Sequence, residues 1–239
     1  MIEIVKDRLD LGLLTARPEV LEFWRDEIGL ELDHVLPVGR GHVQHRFDLA
    51  GSVLKLNLLS SLDATARSGI AELLIARPGL GEAVMHTDPD GNRVRLVPPG
   101  EEGVTQIGIR IRVGEAARSR RHYRDVLGLE EEVPGRVRCG ASVLLIQEAP
   151  DAPVGVVLPV LGWAYLTVQV RDCDAEVARV EALGASILSR PRNLGEVARM
   201  AMVGDPDGNP LEVSQRASLV GPLPPDPPDD GRSDEAHEG

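Results

Sequence analysis
The pentapeptide Asp88-Pro89-Asp90-Gly91-Asn92 returns letter for letter as Asp205-Pro206-Asp207-Gly208-Asn209. In a chain of 239 residues this points to one unit written twice. Further matches follow in the same order once the copies are laid in register: residues 10–13 with 106–109, 25–30 with 124–129, 52–54 with 142–144, and 69–75 with 162–168. Two copies are too few for a solenoid, which needs at least three repeats to bury its faces. The expected organisation is a pseudo-symmetric pair of domains, residues 1–100 and 101–218, each near the roughly 100 residues typical of a small domain.

Within each copy the pattern alternates between two periods. Val20, Leu21, Trp24 and Ile28 recur at helical spacing behind Pro18, with Gly29 placed to end the helix. Residues 115–127 repeat this with Gly128 as the stop, and residues 174–183 form a third helix closed by Gly184. Between the helices the period is two. Ile107, Ile109, Ile111 and Val113 face one way, while Gln106, Gly108, Arg110 and Arg112 face the other. Tyr165, Thr167 and Gln169 alternate with Leu166, Val168 and Val170 in the same manner, as do Glu212 and Ser214 with Leu211 and Val213. The repeated pentapeptides read as hairpin turns, in which Pro presets one φ and Gly supplies a positive one. The second quarter departs from the pattern. Residues 77–82 stand where the fourth quarter has a full helix, so that module is expected to be trimmed.

Composition bounds the function. Hydrophobic content of 42% supplies a core, but aromatics are only 3%, so Leu, Val, Ile and Ala must fill it. A net charge of −12 argues against a nucleic-acid partner held through phosphates. No apolar run approaches the roughly 18 residues needed to cross a bilayer, and the N-terminus lacks a signal peptide's apolar stretch. Cys139 and Cys173 lie far apart and outside metal-binding spacing, which suits free thiols in a reducing cytoplasm. Residues 219–239 combine prolines with an excess of acids and are expected to be disordered.

The two helix ends at residues 25–30 and 124–129, and the two Asp-Pro-Asp-Gly-Asn hairpins followed in the second copy by Pro210-Leu211-Glu212-Val213, resemble the vicinal oxygen chelate superfamily of glyoxalase I, bleomycin-resistance proteins and extradiol dioxygenases. The resemblance covers roughly residues 8–216. It implies an α+β fold of two tandem domains, each of paired βαβββ modules forming curled mixed sheets. A divalent metal is commonly held in such a cup by the opening strands and by a Glu after the hairpin.

Carried onto this chain, the ligand positions are Gln106, Leu145, Tyr165 and Glu212 in the second copy, and Asp10, Lys55, Glu72 and Arg95 in the first. The first quartet of acids and bases is expected to neutralise itself without a metal. The second copy is the expected active cup. There the resemblance implies a divalent ion (Fe, Mn, Ni or Zn) on Gln106 and Glu212, with Glu212 and Tyr165 as catalytic groups. Arg110, Arg112, Thr167, Gln169 and Ser214 would line the substrate. Two chemistries remain open. In one, the metal acts as a Lewis acid on a vicinal-oxygen substrate. In the other, no metal is present, Glu212 is a general base or acceptor, and Tyr165 is a donor. The implied function is a glyoxalase- or dioxygenase-like enzyme of small oxygenated metabolites: a lyase, an isomerase or a ring-cleaving oxygenase. The alternative is a metal-free small-molecule binding or resistance protein. Either would be a monomer or a homodimer. Residues 147–162 and 190–196, rich in Pro and Gly, are candidate walls or lids of the cup.

Overall fold
A computed structural model of the chain describes residues 2–39 and 41–226. Four modules follow one another. The first runs β1 (Ile4–Thr15), α1 (Glu19–Glu22) with a π-helical turn Phe23–Glu27, then β2 (Leu32–Pro37), β3 (Val43–Leu49) and β4 (Ser52–Leu58). The second is β5 (Ile70–Ala76), β6 (Val84–Thr87) and β7 (Arg93–Val97), with no helix between β5 and β6. The third repeats the first as β8 (Ile107–Val113), α2 (Ala116–Arg121) with its own π-helical turn His122–Val126, β9 (Glu130–Val133), β10 (Arg136–Cys139) and β11 (Ser142–Glu148). The fourth is β12 (Gly162–Val170), α3 (Cys173–Ala182), β13 (Ser186–Leu194), β14 (Ala198–Gly204) and β15 (Pro210–Arg216), followed by α4 (Ala217–Val220).

The expected helices form where the spacing places them, and Gly29, Gly128 and Gly184 follow them at φ of 73°, 75° and 90°. Such values cost an L side chain energy and glycine almost nothing. Asp172 caps α3 by accepting from the Ala175 amide at 3.0 Å. No described helix is long and apolar enough to cross a membrane.

Among the described residues the strands form two curled sheets. One has the order β13-β14-β15-β12-β1-β4-β3-β2, the other β6-β7-β5-β8-β11-β10-β9. The first joins the outermost modules of the chain, the first and fourth, through antiparallel pairing of β1 with β12. The second joins the two inner modules, the second and third, through antiparallel pairing of β5 with β8. Each sheet therefore draws on both halves of the sequence. The expectation of one cup within residues 1–100 and another within residues 101–218 gives way to an outer cup (modules one and four) and an inner cup (modules two and three).

Alternation sets the two faces of each sheet. Leu11, Leu13, Leu54, Leu56, Leu73, Ile75, Ile107, Ile109, Leu166, Val168, Leu211 and Val213 turn away from the cups into one core cluster shared by both sheets. Aromatic rings are few but central. Trp24 is wholly buried and meets Trp163 edge-on at 5.5 Å, so a helical turn of the first module packs against the opening strand of the fourth. Cys139 and Cys173 are free and buried, and burial pushes both thiols up to about 12.

The chain end differs from expectation over its first part. Leu219 and Val220 lie in α4, and the Asp226 carboxylate accepts from the Asn193 amide at 2.8 Å and from Arg199 at 3.1 Å. Those contacts dock residues that composition alone marks as disordered. Residues 227–239, the rest of that expectation, lie outside the described residues.

Candidate functional site
The two cups have opposite characters. In the outer cup the polar side chains are buried and bonded to one another. Lys55 on β4 places its ammonium 2.6 Å from Glu212 Oε1 on β15 and 2.9 Å from the Thr167 hydroxyl on β12. Asp10 on β1 takes Lys6 at 2.7 Å and the Gln169 side-chain amide at 3.1 Å. Asn57 donates to the Tyr165 hydroxyl at 3.2 Å and receives Gln44 at 2.9 Å. The Tyr165 ring lies against the backbone of Gly12, where an added Cβ would sit 2.2 Å from the ring's Cζ, so only glycine leaves room for it. Burial first, then the negative charge of Glu212, pushes the Tyr165 hydroxyl well above its ordinary value, so this ring is a neutral phenol.

An apolar cover completes the outer cup. Val156 and Val160, from the connection between β11 and β12, pack with Leu158 on Tyr165 and Ala164. Residues 147–162 thus serve as a wall of this cup. Residues 190–196, by contrast, mostly continue β13 and its turn into β14, where residues 192–194 pair in the ladder.

The inner cup is half filled and half open. Its floor is apolar: Val104, from the link between β7 and β8, packs with Leu74, Val97, Val143 and Leu145. Gly108 makes this plug fit, since a Cβ there would meet a Val104 methyl at 2.6 Å. Beyond the plug opens a cavity of about 710 Å³, lined by Arg67, Arg93, Arg95, Arg110 and Arg112 together with Glu72 and Asp151. Glu72 is 5% exposed and lies 3.2 Å from Arg110 and 3.4 Å from both Arg93 and Arg95. Glu102 bonds Arg95 and takes Arg110 through both oxygens at 2.8 Å. Burial alone would lower the Arg110 guanidinium, but its bonds to Glu102 and Glu72 outweigh that and hold it up.

The structure separates the expected site residues. Tyr165, Thr167, Gln169, Glu212 and Ser214 share the outer cup. Arg110, Arg112 and Gln106 belong to the inner sheet or its edge. Gln106 and Glu212 therefore do not form the anticipated metal pair. The expected first-copy quartet is divided as well. Lys55 pairs with Glu212 from the other half of the chain, while Glu72 and Arg95 meet in the inner cup.

Register also corrects one position. Gly12 lies beside Lys55, and Arg110 beside Leu145. Since Lys55 and Leu145 correspond, Gly12 corresponds to Arg110 and Asp10 to Gly108, two residues after Gln106. The four equivalent positions are thus Asp10, Lys55, Tyr165 and Glu212 in the outer cup, and Glu72, Arg95, Gly108 and Leu145 in the inner.

Sequence comparison agrees with this architecture. The sequence model of the Glyoxalase/Bleomycin resistance protein/Dioxygenase superfamily matches residues 105–213. That match spans the third and fourth modules. Among solved structures it is similar to glyoxalase I from Zea mays, with a TM-score of 0.66 at 15% identity over 87% of this chain and 92% of that one. It is likewise similar to a candidate dioxygenase from Bacillus subtilis subsp. subtilis str. 168, with a TM-score of 0.64 at 11% identity over 90% of this chain and 85% of that one. At these identities the likeness is one of fold. No curated protein matches the sequence.

The chain departs from that superfamily's metal-binding pattern in both cups. Among the described residues no group of three or more His, Cys, Asp or Glu side chains is placed to hold a metal ion. In the outer cup the Lys55 ammonium already sits against Glu212, and the other two positions hold Asp10, bonded elsewhere, and a neutral phenol. In the inner cup Gly108 and Leu145 offer no side-chain donor, and Glu72 is ringed by guanidiniums. The expected divalent ion on Gln106 and Glu212 does not fit these residues.

Proposed function
We propose that this chain is a metal-free small-molecule binding protein of its superfamily, and that the ligand enters the inner cup. The observation that carries this reading is the Lys55–Glu212 contact of 2.6 Å. A fixed side-chain cation stands against the one acid that the superfamily pattern would give to a metal. Lewis-acid chemistry through Glu212 would require expelling a buried ammonium, which leaves an uncompensated charge on each partner. The outer cup is also closed by its own side chains and by Val156 and Val160. The inner cup keeps an open cavity of about 710 Å³, within the size range of small-ligand sites. Arg110 and Arg112 line it, in keeping with their expected part in holding substrate, whereas Thr167, Gln169 and Ser214 serve the packed cup.

Metal uptake and thermal stability test this reading together. After incubation with Mn, Fe, Ni or Zn and removal of excess, the protein should carry less than about 0.1 metal per chain and unfold at an unchanged temperature, because a site that folds around a metal is stabilised by it. A ligand of the inner cup should raise stability by RT ln(1 + [L]/Kd), about 2.7 kcal/mol at a hundredfold excess over Kd. Stoichiometric metal that is lost in Glu212→Ala or Glu72→Ala would overturn the proposal.

A further inference from the structure
The charges around the inner cup fall into two layers. The deeper layer is charge-paired: Glu72 and Glu102 together engage Arg95 and Arg110. The mouth is different. Arg67 bonds the Asn92 side-chain oxygen at 3.0 Å and the Asp90 carbonyl, both neutral acceptors. Arg93, with a side chain 59% exposed, reaches Glu72 at 3.4 Å, and Glu72 is already shared with two other guanidiniums. Arg112 is held by Asp151, which sits on the connection between β11 and β12 rather than on the sheet and is 75% exposed. Three guanidiniums thus line the cavity with two carboxylates between them, Glu72, already shared with Arg95 and Arg110, and Asp151 on a surface connection.

An exposed pair such as Arg112–Asp151 is weak and screened by salt. Guanidiniums, by contrast, present paired donors that match carboxylate and phosphate oxygens two at a time. Asp151 stands in the place a ligand's acid would take. Building on the binding role proposed for this cup, we infer that its ligand is a small organic anion whose carboxylate or phosphate displaces Asp151 from Arg112 and is received by Arg112, Arg93 and Arg67. A neutral molecule of the same size would leave those three cations with no new partner. A cation would be repelled.

Calorimetric titration of the full chain tests this, with inorganic phosphate and with succinate as probes, at constant ionic strength set by chloride. One or both should bind, and the stronger identifies the acidic group preferred. Asp151→Asn removes the competing carboxylate and should tighten binding at least about threefold, while Arg112→Gln, which loses a charge-assisted bidentate contact, should weaken it about tenfold or more. Arg67→Gln should weaken it in the same direction and gives a second reading should Arg112→Gln fold poorly. Succinamide, the neutral counterpart, should not bind. The inference fails if neither anion binds in preference to chloride, if Asp151→Asn binds no tighter, or if succinamide binds as well as succinate. That last result would leave a small-molecule site in the cup without anion selectivity, whereas stoichiometric metal uptake would instead remove the binding role itself.

Discussion

Lys55 and Glu212 occupy equivalent places in two modules, and the pseudo-twofold relation of those modules brings them face to face. With side chains only 4% and 6% exposed, the two charges compensate each other out of water. A buried pair of this kind adds little net stability over an apolar pair, but removing one partner strands the other, at a cost of about 3–5 kcal/mol. Lys55→Met and Glu212→Gln should each lose stability on that scale in urea unfolding, while the double variant Lys55→Met with Glu212→Leu should recover most of it. Single losses below about 1 kcal/mol would mean that the pair is solvated, as exposed ion pairs are. The residue types at these places were legible in the sequence, since an ammonium at a metal-ligand position excludes the metal wherever its partner lies. The partner was not legible, because Lys55 and Glu212 are 157 residues apart. The two-residue displacement of Gln106 against Gly108 has an equally physical origin. A strand has period two, so sliding it by two residues leaves every apolar side chain on the correct face.

The repeated pentapeptide is both a turn and a clamp. In each copy the first Asp accepts from the amides two and four residues on: Asp88 from Asp90 and Asn92 at 2.9 and 2.8 Å, Asp205 from Asp207 and Asn209 at the same distances. The Gly at the fourth position has φ of 84° in one copy and 90° in the other. The positive φ was expected from turn chemistry, and the Asp contacts are of the kind Asp side chains make within turns. The final Asn does more. Asn92, next to the inner sheet, accepts from the Trp163 amide of the outer sheet at 3.2 Å, and Asn209, next to the outer sheet, accepts from the amide of Gly69, the residue before β5 of the inner sheet, at 2.6 Å. The third residue reaches another module too, with Asp90 receiving Thr15 at 2.6 Å and Asp207 receiving the Gly114 amide at 2.8 Å. The two hairpins thereby tie all four modules together. A turn needs no Asn at its last position, so its exact recurrence was a signal for these contacts, although nothing local names the partner strand. Asn209→Ala leaves the buried Gly69 amide without an acceptor and should cost about 1–3 kcal/mol, the penalty of an unsatisfied buried donor. Asn92→Ala should behave likewise. Chemical denaturation would measure both, and a change below about 0.5 kcal/mol, the usual size for surface substitutions, would show that the sheets hold without the clamp.

The four modules could close into cups in two ways, each half of the chain on itself or the halves across each other, and duplication alone is silent between them. The connections at residues 59–69, 98–106 and 149–161 all run between modules, and only the strand pairing reveals the choice: β1 with β12, and β5 with β8. Crossing has an energetic consequence. Every module's opening strand finds its antiparallel partner in the other half, so neither half completes a sheet alone. A separated half would expose the backbone edge of two opening strands and part of the shared apolar core, the conditions that favour association over a monomeric fold. The whole chain should therefore unfold in one cooperative transition, with fluorescence of Trp24 and Trp163 and far-UV circular dichroism giving coincident curves. Residues 1–103 and 104–239 produced separately should be unfolded or self-associated, and produced together they should purify as a one-to-one complex with the parent's spectrum. A monomeric, cooperatively folding fragment 104–239 would mean that β8 and β12 can satisfy each other within one half, and the crossed pairing would then be no requirement of the fold. The same logic explains the contrast between the cups. Because each cup takes one module from each half, substitutions in one copy of the repeat change both cups at once. That is how a Lys from the first half came to close the outer cup against a Glu from the second, while arginines from both halves were left to line the inner one.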